Sequence, residues 1–164
     1  MLGLLVILLS LAIFAPKREL FYLLEERLMQ QDIIINNEEI DAGLFTLTLR
    51  HPELYFKGIK VADINEVRLL SLLFYSTVTV KEIKPDASLK KWVPGEIDKL
   101  TVGYQLWNPG NIMLSALGTF GRAEGYVSLN NRIIHIDLVE EKSIEALKPL
   151  LKKGEKGWYY ETAF

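Results

Sequence analysis

Cysteine is absent from this 164-residue chain. No disulfide scaffold, thiolate metal site or thiol nucleophile can be built from it, and its redox compartment leaves no mark in the sequence. Histidine is almost as scarce, with only His51 and His135. Concentrated positive charge is missing too: 19 basic residues stand against 21 acidic ones, for a formal net charge of −2. Phosphate backbones demand a dense basic surface, so direct nucleic-acid binding is not expected. Phosphate-cradling glycine loops of the G-x-x-x-x-G-K-[ST] or G-x-G-x-x-G type do not occur. Neither do a G-x-S-x-G nucleophile elbow or an H-E-x-x-H zinc helix.

What the chain does have begins at its first residues. Leu2 to Ala15 (LGLLVILLSLAIFA) contains no charge, Pro16 closes it, and Lys17-Arg18-Glu19 follow at once. Such a run is a membrane anchor, the apolar part of a cleaved signal peptide, or a buried helix. At ~1.5 Å per residue it reaches about 22 Å as a helix, short of the ~30 Å hydrocarbon core. A signal peptide wants a basic n-region and small residues before the cut. Nothing basic precedes Leu2, and Ile13 is a poor residue three before a cut at Ala15. We read residues 1–16 as a membrane anchor that works by local bilayer thinning and by snorkelling of Lys17 and Arg18. The residues meeting lipid are Leu2, Leu4, Leu5, Val6, Ile7, Leu8, Leu9, Leu11, Ile13 and Phe14. By the positive-inside rule, the same two basic residues favour a cytoplasmic body.

Helical spacing of Leu20, Phe21, Leu24 and Leu28 predicts an amphipathic helix over 17–30, with Pro16 tolerated at its start. From Asp32 the period becomes two. Phe45, Leu47 and Leu49 alternate with Thr46, Thr48 and Arg50, and Leu54 to Val61 resumes with Gly58 expected as a bulge. Val67 to Phe74 is apolar on both parities, and Val78 and Val80 alternate with Thr77 and Thr79. Leu100, Val102, Tyr104 and Leu106 give the cleanest alternation, followed by Asn108-Pro109-Gly110-Asn111, composed for a type II turn. Asn130-Asn131 reads as a two-residue hairpin turn before the strand carrying Ile134, Ile136 and Leu138. A second helix is expected over 143–153, with Ser143 as N-cap, kinked by Pro149, and an aromatic strand over 158–164. The fold class is therefore α+β. An N-terminal transmembrane helix is followed by a mostly antiparallel β-rich domain, residues 17–164, with strands across 32–139 and two short helices.

The segments GLFTLTLRHPELYFKGIKV and GTFGRAEGYVSLNNRIIHIDL, behind a membrane-proximal segment and a helix, resemble the AsmA-like envelope proteins. Within that group they are most similar to type II secretion system protein N. The likeness covers roughly residues 1 to 139. It implies a bacterial inner-membrane protein with a periplasmic β-rich domain and an accessory role in an envelope-spanning secretion or DNA-uptake machine. The partners it implies are the membrane and other subunits of that machine. It also permits an alternative, binding or transport of lipid or another hydrophobic ligand at the inner membrane. No catalytic residues come with it.

Candidate chemistry is sparse. His135 and Asp137 share a strand face at ligand-like spacing, yet a metal or acid–base site needs three or more convergent groups. Glu25-Glu26, Glu38-Glu39 and Glu140-Glu141 are adjacent pairs whose side chains point apart, so none is a carboxylate dyad by spacing. Trp92 beside Lys90-Lys91, and Trp158, Tyr160 and Phe164 on one side of the last strand, are candidate interaction residues. An aromatic last strand ending in Phe is similar to the closing strand of outer-membrane barrels, but a barrel needs at least eight long, uninterrupted alternating strands. The sequence therefore predicts a non-enzymatic protein with no catalytic, cofactor-binding or metal site. Val67 to Phe74 motivates the apolar-ligand alternative.

Overall fold

A computed structural model describes residues 17–36, 38–72, 74–89, 95–145, 147–155 and 157–164. One α-helix, α1 (Lys17–Met29), leads into twelve strands that hydrogen-bond into a single antiparallel sheet. The strands are β1 (Ile33–Asn36), β2 (Glu39–Ala42), β3 (Thr46–Arg50), β4 (Glu53–Phe56), β5 (Ile59–Ser71) and β6 (Tyr75–Pro85). They continue as β7 (Ile97–Gln105), β8 (Asn111–Gly118), β9 (Gly121–Ser128), β10 (Ile133–Glu141), β11 (Lys152–Gly154) and β12 (Gly157–Ala163). The sheet is a meander in which β12 inserts between β10 and β11. Its path ends at β1 and β11, which do not pair, so it is open.

The first four strands form one interrupted hairpin. β1 pairs with β4 and β2 with β3 in the same register, Ile33 opposite Phe56 and Ala42 opposite Leu47. β3 and β4 then lie end to end along β5. The break between them is His51-Pro52, where His51 takes a left-handed φ of 54° and Pro52 is fully buried. Glu82 on β6 has a left-handed φ of 51°. Between them on β5, Asn65 accepts the His51 N–H at 2.9 Å and donates from Nδ2 to Glu82 at 3.2 Å. Alternation changes phase there. Ile64 on one side of Asn65 and Val67 and Leu69 on the other all turn toward α1, although strict alternation would send Ile64 to the opposite face.

The α+β reading is corrected. Strands hold most of the described residues, and α1 is the single α-helix among them. No described helix is long and apolar enough to cross a membrane, and residues 1–16, on which the anchor reading falls, lie outside the described residues. The helix expected over 143–153 is replaced by a 3₁₀ turn, Lys148–Leu150, and by β11, which pairs with β12. Pro149, with no N–H and a fixed φ, suits the tight turn and not a continuing α-helix. Gly58 is not a bulge. With Lys57 (φ 51°) it makes the two-residue turn between β4 and β5, where both positions need positive φ (Gly58, 77°). The β9–β10 connection spans Leu129 to Arg132, and its left-handed residue is Arg132, not an asparagine. At Asn108-Pro109-Gly110 the Asn111 N–H returns to the Asn108 carbonyl at 3.2 Å, but Gly110 keeps negative φ, which excludes type II.

Candidate functional site

Residues facing each other in an antiparallel ladder project to the same side, so the registers trace each face across the sheet. One row reads Leu47, Leu69, Val78, Val102, Leu114, Gly125, Ile136, Tyr160. The next row, on the other face, reads Thr48, Arg68, Thr79, Thr101, Ser115, Glu124, Asp137, Tyr159. The period-two pattern of each strand thus adds up to a sheet with one apolar and one polar face. Two small clusters cover part of the apolar face. Phe21 of α1 packs on Leu47 and Leu49, with Ile40, Val67 and Leu69 around them. Ile144, from the connection between β10 and β11, packs on Ala123 and Leu138, flanked by Phe120, Leu151 and Trp158.

Between α1 and the sheet the cover is incomplete. Phe21 and Leu24 face a floor of Leu47, Leu49, Val67, Leu69 and Val78, and Ile35, Pro52, Leu54 and Ile64 complete the wall. They line a cavity of about 240 Å³, partly open to solvent beside Leu24, whose exposed lining is entirely apolar. Glu53 is its one charged neighbour, and its carboxylate binds Lys60 Nζ and Tyr55 Oη, each at 2.9 Å. Those two hydrogen bonds, Lys60's first, hold the Glu53 carboxyl below its ordinary value. Lys60 also meets Asp63 at 2.6 Å, and the hydrogen bonds its ammonium donates to both carboxylates, that to Asp63 the stronger, hold it well above the usual lysine range. A cavity this size without polar groups has no partners for ordered water and suits an apolar guest.

The polar face is centred on His135. Its Nδ1 lies 2.9 Å from Glu161 and its Nε2 3.2 Å from Asp137, while Tyr126 and Tyr159 stack on the ring at 5.6 and 5.4 Å between centroids. Partial burial pulls its pKa down, but the carboxylates of Glu161 and Asp137 outweigh that and hold the imidazole above its ordinary value. The carboxylates engage opposite nitrogens of one ring, so the three groups do not converge on a common point. No cluster of three or more metal-ligating side chains occurs among the described residues. The arrangement is an ion-paired histidine clamped by two aromatic rings.

The sequence-derived candidates scatter. Trp92 and the apolar residues from Leu2 to Phe14 lie outside the described residues. Trp158 sits half-buried against the Ile144 cluster with Lys148 and Lys153 each 5.9 Å from its ring centroid, so it is spent on packing. Tyr160 belongs to the apolar face and is half-buried, whereas Phe164 is exposed. Of the Val67 to Phe74 run, Val67 and Leu69 reach the cavity, and Leu72 and Phe74 stand exposed at the β5–β6 turn. Nothing in the sequence marks Ile35, Pro52, Leu54 and Ile64 as a site. Their apolarity was visible, but their convergence depends on the change of phase at Asn65 and on where α1 lies.

Comparison of the chain with protein-family models, with characterised proteins and with solved structures returned no match in any of the three.

Proposed function

We propose that this protein binds an apolar chain, such as the acyl tail of a lipid, between α1 and the sheet, and that it does so attached to a bacterial inner membrane through residues 2–15 with its β domain on the periplasmic side. The observation that carries the reading is the cavity beneath Phe21 and Leu24, about 240 Å³, with an exposed lining that is apolar although Glu53 stands at its wall. An apolar void of ~150 Å³ holds a benzene-sized guest, and whole-ligand pockets begin near ~300 Å³. The cavity therefore fits a length of hydrocarbon chain better than an entire lipid. The AsmA-like resemblance supports the same reading, and so does the apolar face that continues from the cavity across β6 to β12.

The test is binding of a pyrene-labelled fatty acid to the full chain and to cavity-filling variants, Leu69→Phe and Val78→Phe. Filling the cavity is expected to weaken binding by about tenfold or more, equivalent to roughly 1.4 kcal/mol, while the melting temperature of the empty protein holds or rises. Unaltered affinity in folded variants would remove the cavity as the binding site.

A second reading, an accessory subunit of an envelope secretion or DNA-uptake machine acting through protein contacts, is favoured by the sheet's first edge. β1 (Ile33–Asn36) carries neither proline nor charge, although β2 beyond it has Glu39 and Asp41, whereas the opposite edge strand, β11, opens with Lys152-Lys153, charges that discourage added strands. Photo-crosslinking from Asn36 and Glu39 in cells, with Lys153 as control, tests it. Adducts confined to the first edge support a strand-adding partner, and equal labelling of both edges counts against one.

A further inference from the structure

In a meander, successive turns fall at alternate ends of the sheet. At one end, here the proximal end, lie four turns: 43–45 between β2 and β3, 72–74 between β5 and β6, 106–110 between β7 and β8, and 129–132 between β9 and β10. Residue 164, after β12, falls there too, because Ala163 pairs with Ile133. Turn chemistry calls for Gly, Asn, Asp, Ser and Pro. These turns contain such residues and add large apolar side chains that the turn geometry does not require. Phe45, Phe74, Leu106, Trp107, Leu129 and Phe164 are all exposed, Trp107 the most so at 69%. Arg132 is the one charged residue in the four turns. The distal connections differ: 57–58, 86–96, 142–151 and 155–156 all carry charge, and only Thr119-Phe120 does not.

The path of α1 gives this rim a direction. The Asp32 carbonyl, just past the helix, accepts the Lys57 N–H at 2.8 Å at the distal end. Phe21, eleven residues earlier, packs on Leu47, near the β2–β3 turn. The helix therefore runs from the proximal to the distal end, and its first residue, Lys17, lies toward the proximal rim. In the sequence, Lys17 is preceded by the charge-free stretch Leu2 to Ala15 and Pro16. Between β3 and β12 the rim crosses seven strand spacings, roughly 34 Å at ~4.8 Å each, broad enough for several turns to touch one flat surface together. Indole and phenyl rings at loop tips, with little charge between them, match the boundary of a bilayer, where an apolar body and a polar edge are both accommodated.

We propose that the proximal rim is a membrane-contacting edge whose turn tips, led by Trp107, enter the headgroup region of a lipid bilayer. With only Arg132 among the turns, and with Glu19 beside Lys17 and Arg18 at the start of α1, it meets the interface chiefly through apolar side chains, unlike a Lys-rich surface. The proposal goes beyond the acyl-chain cavity and does not rest on it. It places the domain upright on the membrane, with the charged distal end facing away.

Because the chain has no cysteine, a single one can be placed at will. Full-length Phe74→Cys, Trp107→Cys and Leu129→Cys at the rim, Lys57→Cys and Lys142→Cys at the distal end, and Ser10→Cys in the apolar stretch each receive an environment-sensitive fluorophore. The proteins are reconstituted in phosphatidylcholine vesicles containing lipid spin-labelled on the acyl chain. Circular dichroism confirms that each variant keeps its sheet. Rim labels are expected to shift to the blue and lose most of their emission to quenching, equally at low and high salt, while distal labels stay in water. Rim labels that behave like the distal ones overturn the proposal, whatever the Ser10→Cys label does. Quenching at the rim that vanishes at high salt overturns it as well, because charge would then be the attraction. The Ser10→Cys label separately reports whether residues 2–15 enter lipid, so that reading and the rim stand or fall apart.

Discussion

Phe21 on α1 packs against Leu47 on β3, and both are nearly sealed from solvent, at 6% and 4% exposure. From Phe21 to Met29, Phe21 is the one side chain of α1 that is buried, and with Leu47 it lines the apolar cavity. Phe21→Ala should cost about 3 kcal/mol or more, the range for deleting a buried phenyl ring. Tyr22 is the neighbouring aromatic on the same helix but is half exposed, and Tyr22→Ala should cost no more than about 0.5 kcal/mol. Urea titration of the two variants checks the contrast. Similar losses would mean that α1 is not held by the Phe21 side.

His135 supplies a pH dependence with a definite sign. Its folded pKa is raised by Glu161 and Asp137 against the opposing effect of burial. The stabilisation is therefore fully present below the unfolded value near 6.5 and is lost as pH rises through the higher folded value. The surrounding groups are Tyr126 and Tyr159 on the ring faces and Glu124 on β9, which is itself paired with Arg122. Wild type should lose stability relative to His135→Gln between about pH 6 and 8, by less than about 1 kcal/mol for so open a site. Melting curves of both proteins across that range measure the difference, and parallel curves would show that the ion pairs contribute nothing.

Two glycines at positive φ should respond very differently to alanine. Gly58 (φ 77°) has open space where a Cβ would go, so Gly58→Ala meets only the left-handed penalty, roughly 1 kcal/mol. Gly121 (φ 100°) opens β9 beside the irregular end of β10, and a Cβ there would lie 1.9 Å from the Glu140 carbonyl oxygen. Gly121→Ala must displace the β10 backbone and should cost several-fold more than Gly58→Ala. Thermal melts of the pair decide it. Equal losses would mean that β10 yields freely at Glu140.

Much of the sheet is legible because period two is local information. Leu100, Val102 and Tyr104 announce β7 from their own neighbours, and Ile134, Ile136 and Leu138 do the same for β10. The elements read differently were decided by contacts at a distance or by backbone states with weak composition signals. Ile144, Leu147 and Leu151 have helical spacing, yet Pro149 and the pairing of Lys152–Gly154 with β12 convert that stretch into a turn and an edge strand. Lys57 is an unusual residue for a turn that needs positive φ, so Lys57-Gly58 resembled a bulge. The cavity was the hardest to foresee. It requires that alternation reset at His51 between β3 and β4, at Asn65 on β5 and at Glu82 on β6, and no single segment shows that.

Because each strand from β6 to β9 bonds only to its neighbours along the chain, and the pairings β1–β4, β3–β5 and β10–β12 skip no more than two strands, most pairings close short loops. Low separation in sequence favours rapid folding. It also limits cooperativity, as in repeat proteins, where each unit touches only the next. The Phe21 cluster on the early strands and the Ile144 cluster on the late ones have no residue in common. Across β6 and β7, which join them, every described side chain is half-buried or exposed. The molecule should therefore open in two stages. In native-state hydrogen exchange, Phe21→Ala should release the amides of β3 and the adjoining half of β5 while those of β9 and β10 keep their protection.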